Sequence, residues 1–114
     1  MKPSNTYGVV LVPFPFSDRA SEKRRPAVVL SDPGFQQACG HLLLAMITSA
    51  AQSSWPLDWP IQDWQEAGLP KPCLVRFKLF TLDERLILKS LGALSAADRA
   101  GVSSHLSRLL NAGR

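Results

Sequence analysis

The chain has 114 residues, 46% of them hydrophobic, and a formal net charge of +4, which suits one domain spanning residues 1–114 with a core of its own. No apolar run approaches the ~20 residues needed to cross a bilayer, and the N-terminus lacks the apolar core of a signal peptide, so a soluble chain with no membrane partner is expected. Cys39 and Cys73 are the only cysteines; they have neither metal-site spacing nor the numbers of a disulfide framework, and reduced thiols in a cytoplasmic protein are expected.

Val9 to Phe14 is almost continuously apolar, the pattern of a strand buried on both faces. Pro13-Phe14-Pro15-Phe16 ends it, because proline cannot donate to a strand ladder. Ser17 to Arg24 is polar and charged and reads as an exposed loop. It feeds the run Lys23-Arg24-Arg25-Pro26-Ala27-Val28-Val29-Leu30-Ser31. Pro26 drives Arg25 into extended backbone and opens a second strand, Pro26 to Ser31. Arg25 therefore stands at the rim of a buried strand. Lys2, Arg19, Lys23, Arg24 and Arg25 face only Asp18 and Glu22 in the first 25 residues, a net of +3 out of the chain's +4. Such a rim is suited to meeting an anion; the plain alternative is a solvated basic loop.

Ser31-Asp32-Pro33-Gly34 reads as a turn, and His41 to Thr48 as a third strand. Residues 49–72 carry Trp55, Trp59 and Trp64 among Pro56, Pro60, Pro70 and Pro72, which suggests short strand fragments and turns. Cys73 to Phe77 and Leu86 to Leu91 read as further strands. Ser95-Ala96-Ala97-Asp98 resembles a capping box. It opens a helix whose apolar stripe is Val102, Leu106, Leu109 and Leu110, with Gly113 placed to terminate it. The expected fold is mainly β with a C-terminal helix, a small curled sheet or barrel capped by that helix.

Two blocks, Val10-Leu11-Val12-Pro13-Phe14-Pro15-Phe16-Ser17-Asp18 and Arg24-Arg25-Pro26-Ala27-Val28-Val29-Leu30-Ser31, with the short charged loop between them, resemble the MazF/PemK family of bacterial toxin–antitoxin pairs. Ile47-Thr48-Ser49, Leu69-Pro70-Lys71-Pro72, Leu79-Phe80-Thr81-Leu82-Asp83 and the closing helix match more loosely. The resemblance implies an SH3-like barrel of the MazF/CcdB type, assembled as a homodimer. It implies sequence-specific cleavage of single-stranded RNA without a metal or other cofactor. It also implies a cognate antitoxin whose acidic C-terminal segment covers the RNA groove, with operator DNA reached through that antitoxin.

Metal-free RNA cleavage is attack by a ribose 2′-hydroxyl on the neighbouring phosphorus. It needs a base, an acid and donors for the phosphorane oxygens, and fixed cations supply the last of these best. Arg25 matches the family's catalytic arginine and offers a planar fork of donors for phosphate oxygens, though a guanidinium is a poor proton shuttle. Thr48 matches the catalytic threonine; its hydroxyl can both donate and accept. Arg76 resembles a second arginine of the PemK branch. The aspartate that follows it two residues later there is Lys78 here, and the usual Gly-Asp before the first strand is Tyr7-Gly8. Glu22 is the remaining candidate base, with an exposed loop acid as its plain reading. Phe16, Ser17, Lys23, Arg24, Ser49 and Lys78 are the candidate RNA-binding residues. Phe14 is expected in the core, and Trp55 or Trp59 is placed to touch RNA or antitoxin.

Histidine catalysis is disfavoured. His41 opens the strand that Thr48 closes, so roughly 23 Å of backbone separates them at ~3.3 Å per residue. His105 falls on the closing helix, and the carboxylates do not cluster as a two-metal site requires. The leading expectation is thus a dimeric endoribonuclease toxin. The alternative is a binding protein on the same fold: an inactive homologue that holds nucleic acid or antitoxin, or a CcdB-like gyrase inhibitor, the latter by fold analogy alone.

Overall fold

The computed structural model describes residues 3–13, 23–49 and 54–111. Phe14, Phe16, Ser17, Glu22 and Gly113, all named above, lie outside them. Six strands form one antiparallel sheet, curled as a half-barrel: β1 (Gly8–Pro13), β2 (Arg24–Val29), β3 (His41–Ser49), β4 (Trp59–Pro60), β5 (Cys73–Asp83) and β6 (Lys89–Ala93), with a closing helix, α2 (Ala96–Leu110). Their order across the sheet is β4-β5-β3-β2-β1-β6.

The near-continuous apolar runs of β1, β2 and β3 follow from burial on both faces. Side chains alternate across a strand. On one face Val9, Val28, Ala45, Ile47, Val75 and Phe77 pack with Leu94 and with Val102 of α2. On the other, Val10, Val12, Ala27, Val29, Leu42, Leu44, Phe80 and Leu82 form a second cluster.

Four expectations need correction. The turn read at Ser31-Asp32-Pro33-Gly34 is the start of a short helix, α1 (Pro33–Cys39). Asp32 caps it by accepting from the Gly34 amide at 2.7 Å, Pro33 occupies the first turn, and Gly40 closes it in the left-handed region at φ 75°. Aspartate, proline and glycine hold the places those residues favour at helix ends. β5 runs on to Asp83, carried past Phe77 by a bulge: Met46 faces Arg76, yet Ala45 faces Leu79. The next strand begins later than Leu86, after a 3-10 turn over Glu84–Leu86. α2 ends at Asn111 in the left-handed region, before Gly113.

The capping motif at the start of α2 is half as read. Ser95 Oγ accepts from the Asp98 amide at 3.3 Å. The Asp98 carboxylate does not reach back to the Ser95 amide. Instead it accepts from the backbone N–H of Gln62 and of Asp63, both at 2.9 Å, from the Trp59 indole N–H at 3.0 Å and from the Ser95 hydroxyl at 3.2 Å. The stripe also changes along its length. Val102 is buried, while Leu109 and Leu110 are exposed.

Trp59 fills the space that Gly101 leaves on α2. A methyl at Gly101 would overlap the Trp59 ring. Gly101→Ala therefore lowers stability. The gain of about 1 kcal/mol in helix propensity is smaller than an overpacking cost of about 1–3 kcal/mol. The expected result is a lower urea midpoint with an unchanged m-value.

Candidate active site

The sheet brings the sequence's candidate residues together at one end. β2 pairs with β1 down to Arg24, with Arg25 opposite Val12, but its pairing with β3 stops at Ala27, which faces Met46. Pro26 has no N–H to extend a ladder there. Two residues further along both antiparallel strands, Arg25 and Thr48 stand across from each other. Thr48 in turn faces Leu74 of β5, and Ser49 faces Cys73.

Where the ladder opens, a hollow of about 140 Å³ lies between β2, β3 and β5. It is lined by Arg25, Pro26, Ile47, Thr48, Ser49, Pro70, Lys71 and Cys73. Arg25 is half-buried, its Nε fully shielded. Among the described residues the lining includes two cations and no carboxylate, so these residues place positive charge beside apolar walls, where water screens it less than in bulk. Burial pushes the Cys73 thiol above its usual range, against the opposing pull of the Lys71 charge.

Arg76 lies two residues from Leu74 on β5 and so shares the sheet face of Thr48. Its guanidinium is engaged within the chain. Nε donates to Asp58 Oδ1 at 3.2 Å and Nη2 to Oδ2 at 3.0 Å, and the group sits over the Trp55 ring, 5.3 Å from its centroid. Trp59 faces Val75, so the preceding residue, Asp58, comes directly across from Arg76. Burial would raise the Asp58 carboxyl. The hydrogen bonds from Arg76 and the Trp55 amide, with the Arg76 charge, outweigh it and hold the group below the usual aspartate range. Trp55 is 44% exposed, so part of its surface remains open beyond the guanidinium.

His105 supports this loop from behind. Its Nδ1 lies 2.7 Å from the Leu57 carbonyl, which fixes Nδ1–H as the donor, and its ring meets Trp59 edge-on at 5.3 Å. Leu57 itself is held at φ 67°, an uncommon conformation for a residue other than glycine. The loop carrying Asp58 is thereby tied to α2.

The remaining candidates are spread out. Lys23 and Arg24 are exposed at the start of β2, and Lys78 is half-buried in the bulge of β5, about 13 Å along the strand from Leu74. His41 is exposed at the far end of β3, opposite Asp83. No cluster of three or more His, Cys, Asp or Glu side chains able to hold a metal occurs among the described residues. None of the described helices is long and apolar enough to cross a membrane. Asp58, Lys71 and Cys73 were not singled out from the sequence. Lys71 did have a signal, a cation between two prolines. Asp58 had none, since only the β4–β5 register carries it to Arg76.

A family model described as a PemK-like, MazF-like toxin of type II toxin–antitoxin systems matches residues 5–110. An endoribonuclease from a mycobacterial species, solved with its cognate antitoxin, has a TM-score of 0.75 at 13% identity, over 97% of this chain and 96% of its own. MazF from Deinococcus radiodurans has a TM-score of 0.74 at 25% identity, over 96% of this chain and 97% of its own. The MazE–MazF structure from the same organism has a TM-score of 0.75 at 24% identity, over 95% and 96%. No curated relative is detected by sequence. The half-barrel with its closing helix is the fold of these structures.

Proposed function

This chain belongs to the PemK-like, MazF-like toxin family of type II toxin–antitoxin systems, and from that premise we propose that it is a metal-independent endoribonuclease acting on single-stranded RNA. The observation that carries the reading is the neighbouring pair Arg25 and Thr48 over a hollow whose described lining has two cations and no carboxylate. A phosphodiester seated there meets the Arg25 guanidinium at its non-bridging oxygens. As the 2′-hydroxyl attacks phosphorus and the 5′-oxygen leaves, negative charge builds on those oxygens, and a donor already in place stabilises it without reorganisation. The Thr48 hydroxyl donates to a phosphate oxygen or accepts from the 2′-hydroxyl. Glu22 is the candidate acceptor for the 2′-proton. The products are a 2′,3′-cyclic phosphate and a 5′-hydroxyl end.

Arg76 serves this site as a fixed wall. Asp58 holds its guanidinium, and the guanidinium braces the Trp55 indole, which offers a base a stacking surface. Ser49 lies in the hollow itself. Lys23 and Arg24, exposed at the start of β2, are further RNA-binding candidates, and Phe16, Ser17 and Lys78 are proposed for the same role from the sequence. An antitoxin with an acidic C-terminal segment competes for the same cations, and the toxin works as a cytoplasmic homodimer whose antitoxin carries it to operator DNA.

The test is incubation with mixed-sequence single-stranded RNA in excess chelator, followed by mapping of the cut ends. Cleavage leaving cyclic phosphate and 5′-hydroxyl ends is expected. No cleavage, or cleavage that the chelator abolishes, overturns the reading. RNA binding without cutting points instead to a binding module on this fold, which Lys78 in place of the family aspartate also favours.

A further inference from the structure

We propose that Lys71 is a second phosphate-binding cation of the hollow, gripping an RNA phosphate next to the scissile one. The inference rests on the reading of the hollow as an RNA site. It deepens that reading: Lys71 is one of the two cations counted among the lining residues, and the reading gives it no role of its own.

Lys71 lines the hollow together with Arg25, Thr48 and Ser49. It arrives from a different segment, on the turn that leads into β5. Among the described residues no carboxylate forms an ion pair with it, so none of them neutralises its charge at the edge of the hollow. None of its described lining residues is aromatic, which suits phosphate oxygens rather than a stacked base.

The backbone beneath Lys71 is set in advance. Pro70 fixes its own φ, and Pro72 confines Lys71 to extended conformations. The Lys71 carbonyl accepts from the buried Cys73 thiol at 3.3 Å. Most of the ordering that an RNA contact would demand has therefore been done during folding, leaving only the side chain to settle.

Arg25 and Lys71 then divide the work by chemistry and exposure. Arg25 is half-buried and presents a directional fork. Lys71 is exposed and presents a hydrated point charge on a flexible stem. A contact of the second kind is made equally in the ground and transition states. It lowers KM without raising kcat.

The experiment measures cleavage kinetics and salt-dependent binding of a fluorescein-labelled single-stranded RNA by the full chain, Lys71→Gln and Lys71→Arg. Binding is measured with an uncleavable 2′-deoxy substitution at the cut position. For Lys71→Gln, KM and Kd rise about tenfold, the loss of one charge-assisted hydrogen bond, while kcat stays within about twofold. The slope of log affinity against log salt falls by about 0.7, one phosphate on a single strand. Lys71→Arg restores the slope. An unchanged salt slope in Lys71→Gln, or a loss in kcat with KM unmoved, overturns the proposal while leaving the nuclease reading intact. Failure of the parent chain to bind RNA at all overturns both.

Discussion

Arg25→Ala lowers kcat for RNA cleavage by about 10²–10³-fold, with little change in KM, and leaves the fold intact. The magnitude is that of removing one preorganised donor from a site where charge develops in the transition state. Arg25 has the setting for that size of effect. It is half-buried on a sheet face that it shares with the fully buried Val12 directly opposite, so its field is less screened than that of a surface cation. The stability cost is small because Arg25 lies beyond the end of the β2–β3 pairing and in neither apolar cluster. Arg25→Lys recovers only a minor fraction, since an ammonium cannot engage two phosphate oxygens in the same plane. Single-turnover cleavage of labelled RNA, with thermal melts as the folding control, reads both quantities. An alanine variant that cuts at the parental rate removes Arg25 from the chemistry. A loss confined to KM would make it a binding cation like Lys71.

Asp98→Ala costs about 3 kcal/mol of stability, although the residue is remote in sequence from every strand of the site. Its side chain is fully buried and accepts from four donors: two backbone amides, an indole N–H and a hydroxyl. Truncation leaves those donors facing a void, and each buried donor without a partner costs about 1–3 kcal/mol. Some of that is recovered where the exposed Gln62 and Asp63 let water in. The melting temperature falls by roughly 10–15 °C for a domain of this size. Asp98→Asn recovers only part of the loss, because one side of its amide is a donor pointed at donors.

The same carboxylate gives stability a pH dependence of definite sign. Burial alone would raise its pKa, but the Gln62 and Asp63 amides, the Trp59 indole and the Ser95 hydroxyl outweigh burial and lower it. A group depressed in the folded state contributes in full above its unfolded value, near pH 4, and loses that contribution as pH falls through the lower folded value. The parent chain therefore loses stability on acidification below about pH 4. Asp98→Asn has a flatter acid limb, measured by urea midpoints between pH 6 and pH 3. A variant series with identical acid limbs would show that Asp98 is not the group responsible.

Asp98 and Arg76 sit on one mechanical path. Asp98 holds Trp59, Gln62 and Asp63 to the start of α2, and His105, two turns on, holds the Leu57 carbonyl. Between those anchors lies Asp58, which grips Arg76 on the sheet face of Thr48. The closing helix thus fixes one wall of the site without contributing a group to it.

Much of this molecule is legible in its sequence because the signals are local. Continuous apolar runs declare β1, β2 and β3. Pro26 declares that Arg25 is extended, and Ser95 declares where α2 starts. The helix at Pro33–Cys39 was equally local, with Asp32, Pro33 and Gly40 in their favoured places, but so short a segment has no apolar periodicity to distinguish it from a turn. The extension of β5 past Phe77 depends on the bulge facing Ala45 and Met46, and the pairing that creates it is not written in β5 itself.

The sequence by itself determined the mainly β character with its closing helix, the family and the pairing of Arg25 with Thr48 as candidates, since each rests on residue order over a few positions. Only the tertiary structure decided that Lys71 joins those two, that Asp58 takes the Arg76 guanidinium, and that Asp98 ties down a loop instead of capping its own helix. The physical reason is shared by all three. Charged side chains find partners by strand register and packing across separations of 18 to 46 residues, and nothing in the local chain specifies which of several available partners is within hydrogen-bonding reach once the core has formed.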